Sequence, residues 1–172
     1  MSVVLVERSF PEPVVFADVQ AVEDRNASCL QAHDVRFLRS YFSRERRRMI
    51  CLYEAPDAES VRLVQERAGL PFDRVWTTTV VRHAAAEPEG DAVLVERTLE
   101  TPLDEAWIRE APVRGAWCLE QYACRLVWSY LSADGYRATC VFAGPAAESV
   151  RQSQRQAGMP FDRAWPATGH EP

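Results

Sequence analysis

Val3-Val4-Leu5-Val6-Glu7-Arg8, near the start of the chain, returns as Ala92-Val93-Leu94-Val95-Glu96-Arg97, and this recurrence decides the fold. Residues 3–76 align with residues 92–165 without a gap, and 31 of the 74 aligned positions are identical. An internal duplication of this length indicates two copies of one structural unit. Positions kept in both copies report what the fold requires. Positions that differ between the copies indicate where function has specialised.

The composition restricts the class of protein. The 172 residues are 47% hydrophobic and carry a net charge of -5, which predicts a globular protein without the basic face that nucleic acid requires. No apolar run approaches the ~20 residues of a membrane span. An acidic residue follows soon after the N-terminus, so we predict no signal peptide, no membrane partner and a cytoplasmic location. Five cysteines without a C-x-x-C spacing predict free, mostly buried thiols.

Each copy has the pattern of a small unit that mixes strands and helices. In the first copy the pattern predicts a strand at 3–8, a helix at 14–33, a hairpin of strands at 35–43 and 48–55, a helix opening at 56–59 and closing at Gly69, and a strand at 73–81. The hairpin turn of the second copy contains Asp134-Gly135, which is a strong hairpin signal. The order β-α-β-β-α-β is typical of the ferredoxin-like unit.

We therefore predict an α+β protein in which two ferredoxin-like repeats are fused into a pseudo-dimer that resembles a dimeric α+β barrel. The predicted parts are a first repeat at 1–81, a linker at 82–91, a second repeat at 92–167 and a frayed tail at 168–172. The helices are expected to cover one face of each sheet, which leaves the two open faces to pack on each other. A ligand cleft would then lie between the sheets. The chain would be a monomer in pseudo-dimeric form or a homodimer.

Polar side chains of the first copy are predicted to line this cleft. If the second strand alternates regularly, Arg39 and Tyr41 point to the same side as Phe37, away from the helices. Glu7 ends the first strand and is a candidate partner of Arg39 across the sheet. The pair is either a structural ion pair or, with Tyr41, part of a site in which Arg39 binds an anionic or carbonyl group of a ligand.

The second copy supplies related side chains with one exchange. Glu96 and Tyr130 match Glu7 and Tyr41, whereas Trp128 stands where the first copy has Arg39. Trp128 would stack on the ligand. The second copy is also the more aromatic of the two.

The first predicted helix of the second copy contains two residues that disfavour a continuous helix. These are Pro112 and Gly115, which stand where the first copy has Glu23 and Asn26. A proline inside a helix removes a hydrogen bond and kinks or breaks the helix. The break would shape a mouth beside the cleft, or it is a tolerated kink over a larger core.

Recognised catalytic and metal-binding motifs are missing from the sequence. His33, His83 and His170 do not have the spacing of a metal site, and there is no G-x-S-x-G, H-E-x-x-H or glycine-rich phosphate loop. We therefore predict no cofactor and no metal ligands.

Four strings of the sequence resemble those of a known family, and they are L-V-E-R at 5–8, R-S-Y at 39–41, C-L-Y-E-A-P at 51–56 and A-G-L-P-F-D-R at 68–74. It is a small ferredoxin-like family whose best-known type is a nickel-binding, nickel-responsive protein. The resemblance covers each copy almost entirely, and because small members of the family associate as dimers it implies a fused pseudo-dimer. It also implies nickel binding through histidines at the end of the first strand and in the second helix. Here those neighbourhoods hold Glu, Arg and Gln, and neither Gln nor Arg can replace imidazole as a nickel ligand.

These observations together predict a protein that binds a small organic molecule, with Arg39, Trp128, Cys51 and Cys140 as ligand-binding residues. Two alternatives stay open. The first is a cofactor-independent isomerase, cyclase or oxidase, in which Glu7 or Glu96 is the base and Tyr41 or Tyr130 the acid. The second is nickel binding through Cys, Glu and His, as the resemblance implies.

Overall fold

The structure is a computed structural model that describes residues 1–86 and 91–172. It contains two compact units, one formed by residues 1–78 with 168–172 and the other by residues 79–167. The α+β class and the two repeated halves are confirmed. The predicted linker at 82–91 falls partly outside the described residues, since these omit Pro88 and Gly90. Within the described ranges no helix is long and apolar enough to cross a membrane.

The first repeat supplies four strands and its helices. In chain order they are β1 (Ser2–Ser9), α1 (Phe16–Arg25), α2 (Ala27–Ala32), β2 (Arg36–Ser43), β3 (Arg48–Ala55), α3 (Ala58–Ala68) and β4 (Arg74–Arg82). The strands β1 and β3, β1 and β4, and β2 and β3 pair antiparallel, which gives the strand order β4-β1-β3-β2. Leu5 lies opposite Leu52 on one side and Trp76 on the other, which fixes the register at the centre of the sheet.

The second repeat has the same order with a more broken helical layer. Its elements are β5 (Ala92–Thr98), α4 (Glu105–Arg109), α5 (Ala111–Arg114), α6 (Ala116–Gln121), β6 (Arg125–Ser132), β7 (Arg137–Ala143), α7 (Ala147–Gln156) and β8 (Arg163–His170). The antiparallel pairings give β8-β5-β7-β6, the counterpart of the order in the first repeat.

The helices of each repeat cover one face of its sheet. In the first repeat, Val4 and Val6 of β1 are fully buried against Val61 and Val64 of α3. In the second repeat, Val93 and Val95 occupy the same places and pack with Val150 of α7. Alternation along the first strand of each repeat therefore directs Arg8 and Arg97 to the helix side and Glu7 and Glu96 to the other side.

The turns follow the local sequence signals. Gly69 ends α3 in the left-handed region with φ +67°, where a side chain would be strained. In the second-repeat hairpin, Gly135 has φ +77° and Asp134 Oδ1 accepts a hydrogen bond from the backbone N–H of Tyr136. The predicted helix end and the predicted hairpin turn are confirmed.

The long helices predicted after the first strand of each repeat are interrupted. In the first repeat the Asn26 amide donates to the carbonyl of Val22 over 2.8 Å, and the backbone N–H of Asn26 bonds to Glu23 instead. This side chain competes with the helical hydrogen bond and separates α1 from α2. In the second repeat Pro112 stands at the start of α5, and Gly115 separates α5 from α6, so the predicted break is confirmed.

Two predictions about strand residues are wrong. A bulge between Phe37 and Arg39 reverses the alternation of β2, so Phe37 packs in the helix-side core while Arg39 and Tyr41 pair with Leu52 and Ile50 on the other face. The predicted frayed tail is in part strand, because β8 continues to His170.

Aromatic stacking anchors this last part of the chain. The ring of His170 stacks on Phe16 at 3.8 Å between centroids, which supplies the packing that a frayed end lacks.

Candidate functional site

The two predicted acidic residues, Glu7 and Glu96, each accept a hydrogen bond from a tryptophan of the neighbouring strand. Glu7 accepts a hydrogen bond from the indole N–H of Trp76 over 2.8 Å and pairs with Arg74 at 3.1 Å. Glu96 accepts from the indole of Trp165 over 2.7 Å. The hypothesis of a Glu7–Arg39 ion pair is wrong, because β1 and β2 are separated by β3 and Glu7 binds side chains of β4 instead.

The structure brings the other predicted residues together in pairs on each sheet. Arg39 donates to the phenol oxygen of Tyr41 over 3.2 Å and pairs with Glu171 at 2.5 Å. In the second unit Trp128 stacks beside Tyr130 with ring centroids 6.4 Å apart. These contacts lie within one unit in each case, and the roles predicted for these residues in an inter-sheet cleft stay predictions.

The two predicted cysteines occupy equivalent positions with different surroundings. Cys51 is fully buried in the helix-side core of the first repeat, and burial raises the pKa of its thiol. Cys140 lies on the helix side of β7, 4% exposed, where it lines a cavity of the second repeat.

This cavity lies between the sheet and the helices of the second repeat and has a volume of about 440 Å³. The floor is formed by β5, β6 and β7, the roof by the broken helices α4, α5 and α6, and one wall by the end of α7. The lining is mostly apolar: Arg97, Leu103, Trp107, Ile108, Ala111, Arg114, Gly115, Cys118, Leu119, Leu126, Ser129, Cys140, Phe142, Gln154, Ala157 and Met159.

Arg97 is the charged group in the interior of this cavity, and it is only 5% exposed. Its guanidinium donates to the carbonyl oxygen of Pro160 over 2.9 Å and to the side-chain oxygen of Gln154 over 2.7 Å. Both acceptors are neutral. Within the described part of the chain, no carboxylate forms a salt bridge with Arg97.

The first repeat shows how the equivalent arginine is neutralised. Arg8 donates to Pro71 and Gln65, just as Arg97 donates to Pro160 and Gln154. Arg8 also has a buried counterion, because the carboxylate of Glu23 lies 3.8 Å from its Nη2 atom. Tyr53 completes the cluster.

The phenol of Tyr53 joins the two charged groups of this cluster. It donates to Glu23 and accepts from Arg8 over 3.4 Å. Burial raises the pKa of Tyr53 well above its usual value, so the phenol stays protonated and remains a donor to the carboxylate.

Two exchanges between the repeats remove this internal counterion from the second. Pro112 stands where the first repeat has Glu23, and Phe142 stands where it has Tyr53. The proline also breaks the helix that would otherwise cover the arginine. The second repeat thus combines a buried cation that lacks a carboxylate partner with a cavity beside it. The exchanges of Glu23 for Pro112 and of Tyr53 for Phe142 are visible when the two repeats are aligned, and they are the sequence signal for this site.

A polar chain of three side chains meets the cavity at its floor. Ser129 Oγ is hydrogen bonded to His83 Nε2 at 3.0 Å and lies 3.4 Å from Cys140 Sγ. Burial, followed by the nearby charge of Arg109, lowers the pKa of His83 below its usual value. The imidazole is therefore neutral near pH 7 and can accept a proton.

The rim of the cavity carries an aromatic and a cationic side chain in contact. The guanidinium carbon of Arg114 lies 3.9 Å from the ring centroid of Trp107, and Arg114 pairs with Glu110 at 3.3 Å. Unlike Arg97, Arg114 therefore has a counterion of its own. Both side chains belong to the cavity lining, and their contact is a cation–π interaction.

Residues 1–86 and 91–172 contain no group of three or more His, Cys, Asp and Glu side chains that could hold a metal ion. The side chains present do not fit a nickel centre, which requires several nitrogen or sulfur donors converging on one point.

Comparison with known proteins gives a family and a fold. The family described as "Nickel responsive protein SCO4226-like" matches residues 5–77 and again residues 94–166. The crystal structure of SCO4226 from Streptomyces coelicolor A3(2) is 20% identical and covers 43% of this chain and 91% of its own, with a TM-score of 0.40. A mutant chlorite dismutase from Candidatus Nitrospira defluvii, in complex with cyanide, is 11% identical and covers 98% of this chain and 90% of its own, with a TM-score of 0.54. The second likeness shows the fold alone, and no curated protein matches the chain.

Proposed function

The chain belongs to the nickel-responsive SCO4226-like family, which matches both of its repeats, and we propose that it is a small-molecule-binding protein whose site is the cavity of the second repeat. The observation that carries this proposal is the difference between two equivalent places in one chain. The first repeat has Glu23 and Tyr53 beside its buried arginine, and the second repeat has a cavity of about 440 Å³ beside Arg97.

The size and chemistry of the cavity suit a small organic ligand. Ligand pockets in proteins typically measure about 300–1,000 Å³ and combine an apolar lining with a few convergent polar groups. Here Leu126, Phe142 and Met159 belong to the apolar lining, and Arg97 and Ser129 are polar groups on it.

The proposal is tested with a neutral, apolar fluorescent probe, N-phenyl-1-naphthylamine, which emits strongly when it leaves water. We expect saturable binding to the unmodified protein. Ala111→Leu should weaken it at least tenfold, because Ala111 lines the cavity and a leucine side chain would occupy part of the volume. The first repeat has Val22 at the equivalent position, so a larger aliphatic side chain is compatible with the fold there.

The matched control is Val113→Leu on the same short helix. Val113 is 80% exposed, so the added methylene group should leave probe binding unchanged. Equal affinities of the unmodified protein and Ala111→Leu would show that the probe binds elsewhere and would refute the cavity as the site.

We also propose how the two repeats are built and joined. Each repeat is proposed to be a ferredoxin-like unit, supported by the strand orders β4-β1-β3-β2 and β8-β5-β7-β6. The fusion of the units into a pseudo-dimer, with a cleft between the sheets bounded by Arg39 and Trp128, stays a proposal. Small-angle scattering of the intact chain, compared with a calculated pseudo-dimer, tests it.

The second candidate function is an enzyme that uses the same cavity. It is favoured by the hydrogen bond between Ser129 and the neutral His83, an arrangement in which the imidazole can accept the proton of an attacking hydroxyl. This candidate predicts that a fluorophosphonate labels Ser129 with loss of fluoride, and that Ser129→Ala prevents labelling. If the unmodified protein is not labelled, the nucleophile is wrongly assigned. No step is assigned to nickel, because the described residues do not supply its ligands.

A further inference from the structure

We propose that the ligand of the second-repeat cavity is an apolar molecule with one carboxylate group, and that this carboxylate binds Arg97 in the way that Glu23 accompanies Arg8. The inference rests on the proposed function, since it names the chemical class of the ligand in the same cavity. It goes further by assigning the residue that recognises the ligand and the sign of the charge that it recognises.

The first part of the argument is electrostatic. An arginine in a low-dielectric interior retains its charge, and an isolated buried charge is strongly unfavourable unless a partner of opposite sign lies close by. In the first repeat that partner is Glu23, 3.8 Å from the guanidinium of a completely buried Arg8 side chain. Arg97 is nearly as buried, and the residue equivalent to Glu23 is Pro112. A carboxylate brought by a ligand would restore the missing interaction.

The second part is the count of hydrogen-bond donors. A guanidinium has five N–H donors arranged in a plane, and two of those of Arg97 are used by Pro160 and Gln154, one from each terminal nitrogen. Each terminal nitrogen therefore keeps a second N–H group. A carboxylate has two acceptor oxygens and can accept hydrogen bonds from both of these N–H groups.

The third part concerns the rest of the ligand. Ile108, Leu119 and Phe142 line the same cavity as Arg97 with apolar surface, so an inorganic anion bound there would lose water without gaining compensating contacts. The remaining cation on the lining, Arg114, is paired with Glu110 at the rim. One interior positive charge in an apolar cavity therefore selects a monoanion with an apolar body.

The decisive experiment compares three probes with the same carbon skeleton by isothermal titration calorimetry at pH 7.5 on the unmodified full-length protein. They are 4-phenylbutyrate, its neutral amide 4-phenylbutanamide, and the cation 4-phenylbutylamine. We expect the carboxylate to bind at least tenfold more tightly than the amide and the amine to bind more weakly than either. Equal binding of carboxylate and amide would overturn the assignment of charge while leaving the cavity as a binding site. Absence of binding by all three probes at 10 mM would overturn both this inference and the proposed function.

A variant that imitates the first repeat provides the second test. Pro112→Glu combined with Phe142→Tyr introduces the two residues that accompany Arg8, so it should remove the preference for carboxylate over amide. The matched control is Val113→Glu, which adds the same charge at a neighbouring but exposed position and should preserve the preference. If the double variant is folded by circular dichroism and still prefers the carboxylate tenfold, Arg97 is not the recognition group. If it does not fold, Arg97→Gln replaces it, because it removes the guanidinium charge and should abolish the preference; a tenfold preference retained by Arg97→Gln would likewise show that Arg97 is not the recognition group.

Discussion

Replacing Glu23 by Gln should destabilise the protein by about 3 kcal/mol, which is far more than most single substitutions cost. The substitution keeps the size of the side chain and an oxygen acceptor for the Tyr53 hydroxyl. It removes the negative charge beside Arg8 and replaces the second carboxylate oxygen by an NH2 group of similar size. The experiment therefore measures how strongly a buried arginine of this fold depends on a carboxylate.

The magnitude follows from the burial of both partners. The side chain of Arg8 is 0% exposed and that of Glu23 is 8% exposed, so water cannot replace the lost charge. Removing one partner of a buried ion pair costs about 3–5 kcal/mol. The nitrogen–oxygen distance is 3.8 Å rather than that of a direct hydrogen bond, and Arg8 keeps Gln65 and Pro71 as acceptors, which places the expectation at the lower end.

The assay is urea unfolding followed by circular dichroism, with a thermal melt as a second measurement. With a slope of about 2 kcal/mol per molar urea, the midpoint should fall by roughly 1.5 M. The melting temperature should fall by roughly 6–12 °C. Glu59→Gln is the control, because Glu59 also pairs with an arginine but is exposed on α3, and its midpoint should stay the same. A midpoint for Glu23→Gln within 0.3 M of the unmodified protein would refute the reasoning, and with it the argument that Arg97 requires an anionic partner.

Two further predictions use the repeat and the titrating histidines. Ala146 is the N-cap residue of α7, with φ -160° and ψ 161°, close to the geometry of Asp57, the N-cap of α3, whose side chain accepts from Ser60 N. Ala146→Asp should therefore raise the melting temperature by roughly 2–4 °C. An unchanged or lower value would show that the cap does not form. Burial lowers the pKa of His83 and of His170 in the folded protein. Below the histidine pKa of the unfolded chain, about 6.5, the unfolded chain therefore binds more protons than the folded protein does. The free energy of unfolding should consequently fall as the pH decreases from 7 towards 5. His83→Gln should reduce this slope in urea titrations, and an unaltered slope would contradict the assignment.

Much of the fold could be predicted because its determinants are local and occur twice. The strands around Val4 and Val93 follow from hydrophobic runs, and the end of α3 follows from Gly69. The errors arise where one side chain overrides a periodic pattern. The Asn26 amide interrupts a helix that the apolar spacing alone would continue. A bulge after Phe37 shifts the alternation by one residue, which no periodicity argument detects.

The candidate site is less predictable from the sequence than the fold, although one of its signals, Pro112, is visible there. The break at Pro112 was predicted, but its consequence depends on which helical residue lies above Arg97, and that is a property of three-dimensional packing. The pairing of Glu23 with Arg8 joins residues of different elements, so the meaning of a proline at the equivalent position emerges only from the structure. Glu7, which the sequence assigns to a cleft, instead accepts a hydrogen bond from Trp76 of the neighbouring strand β4.

The most direct test of the account is a crystal structure of the unmodified protein with 4-phenylbutyrate. The account predicts electron density for the probe in the second-repeat cavity, with both carboxylate oxygens within hydrogen-bond distance of the Arg97 guanidinium and the phenyl ring against Phe142. A probe bound at another place, or one bound in the cavity with its carboxylate directed away from Arg97, would contradict it.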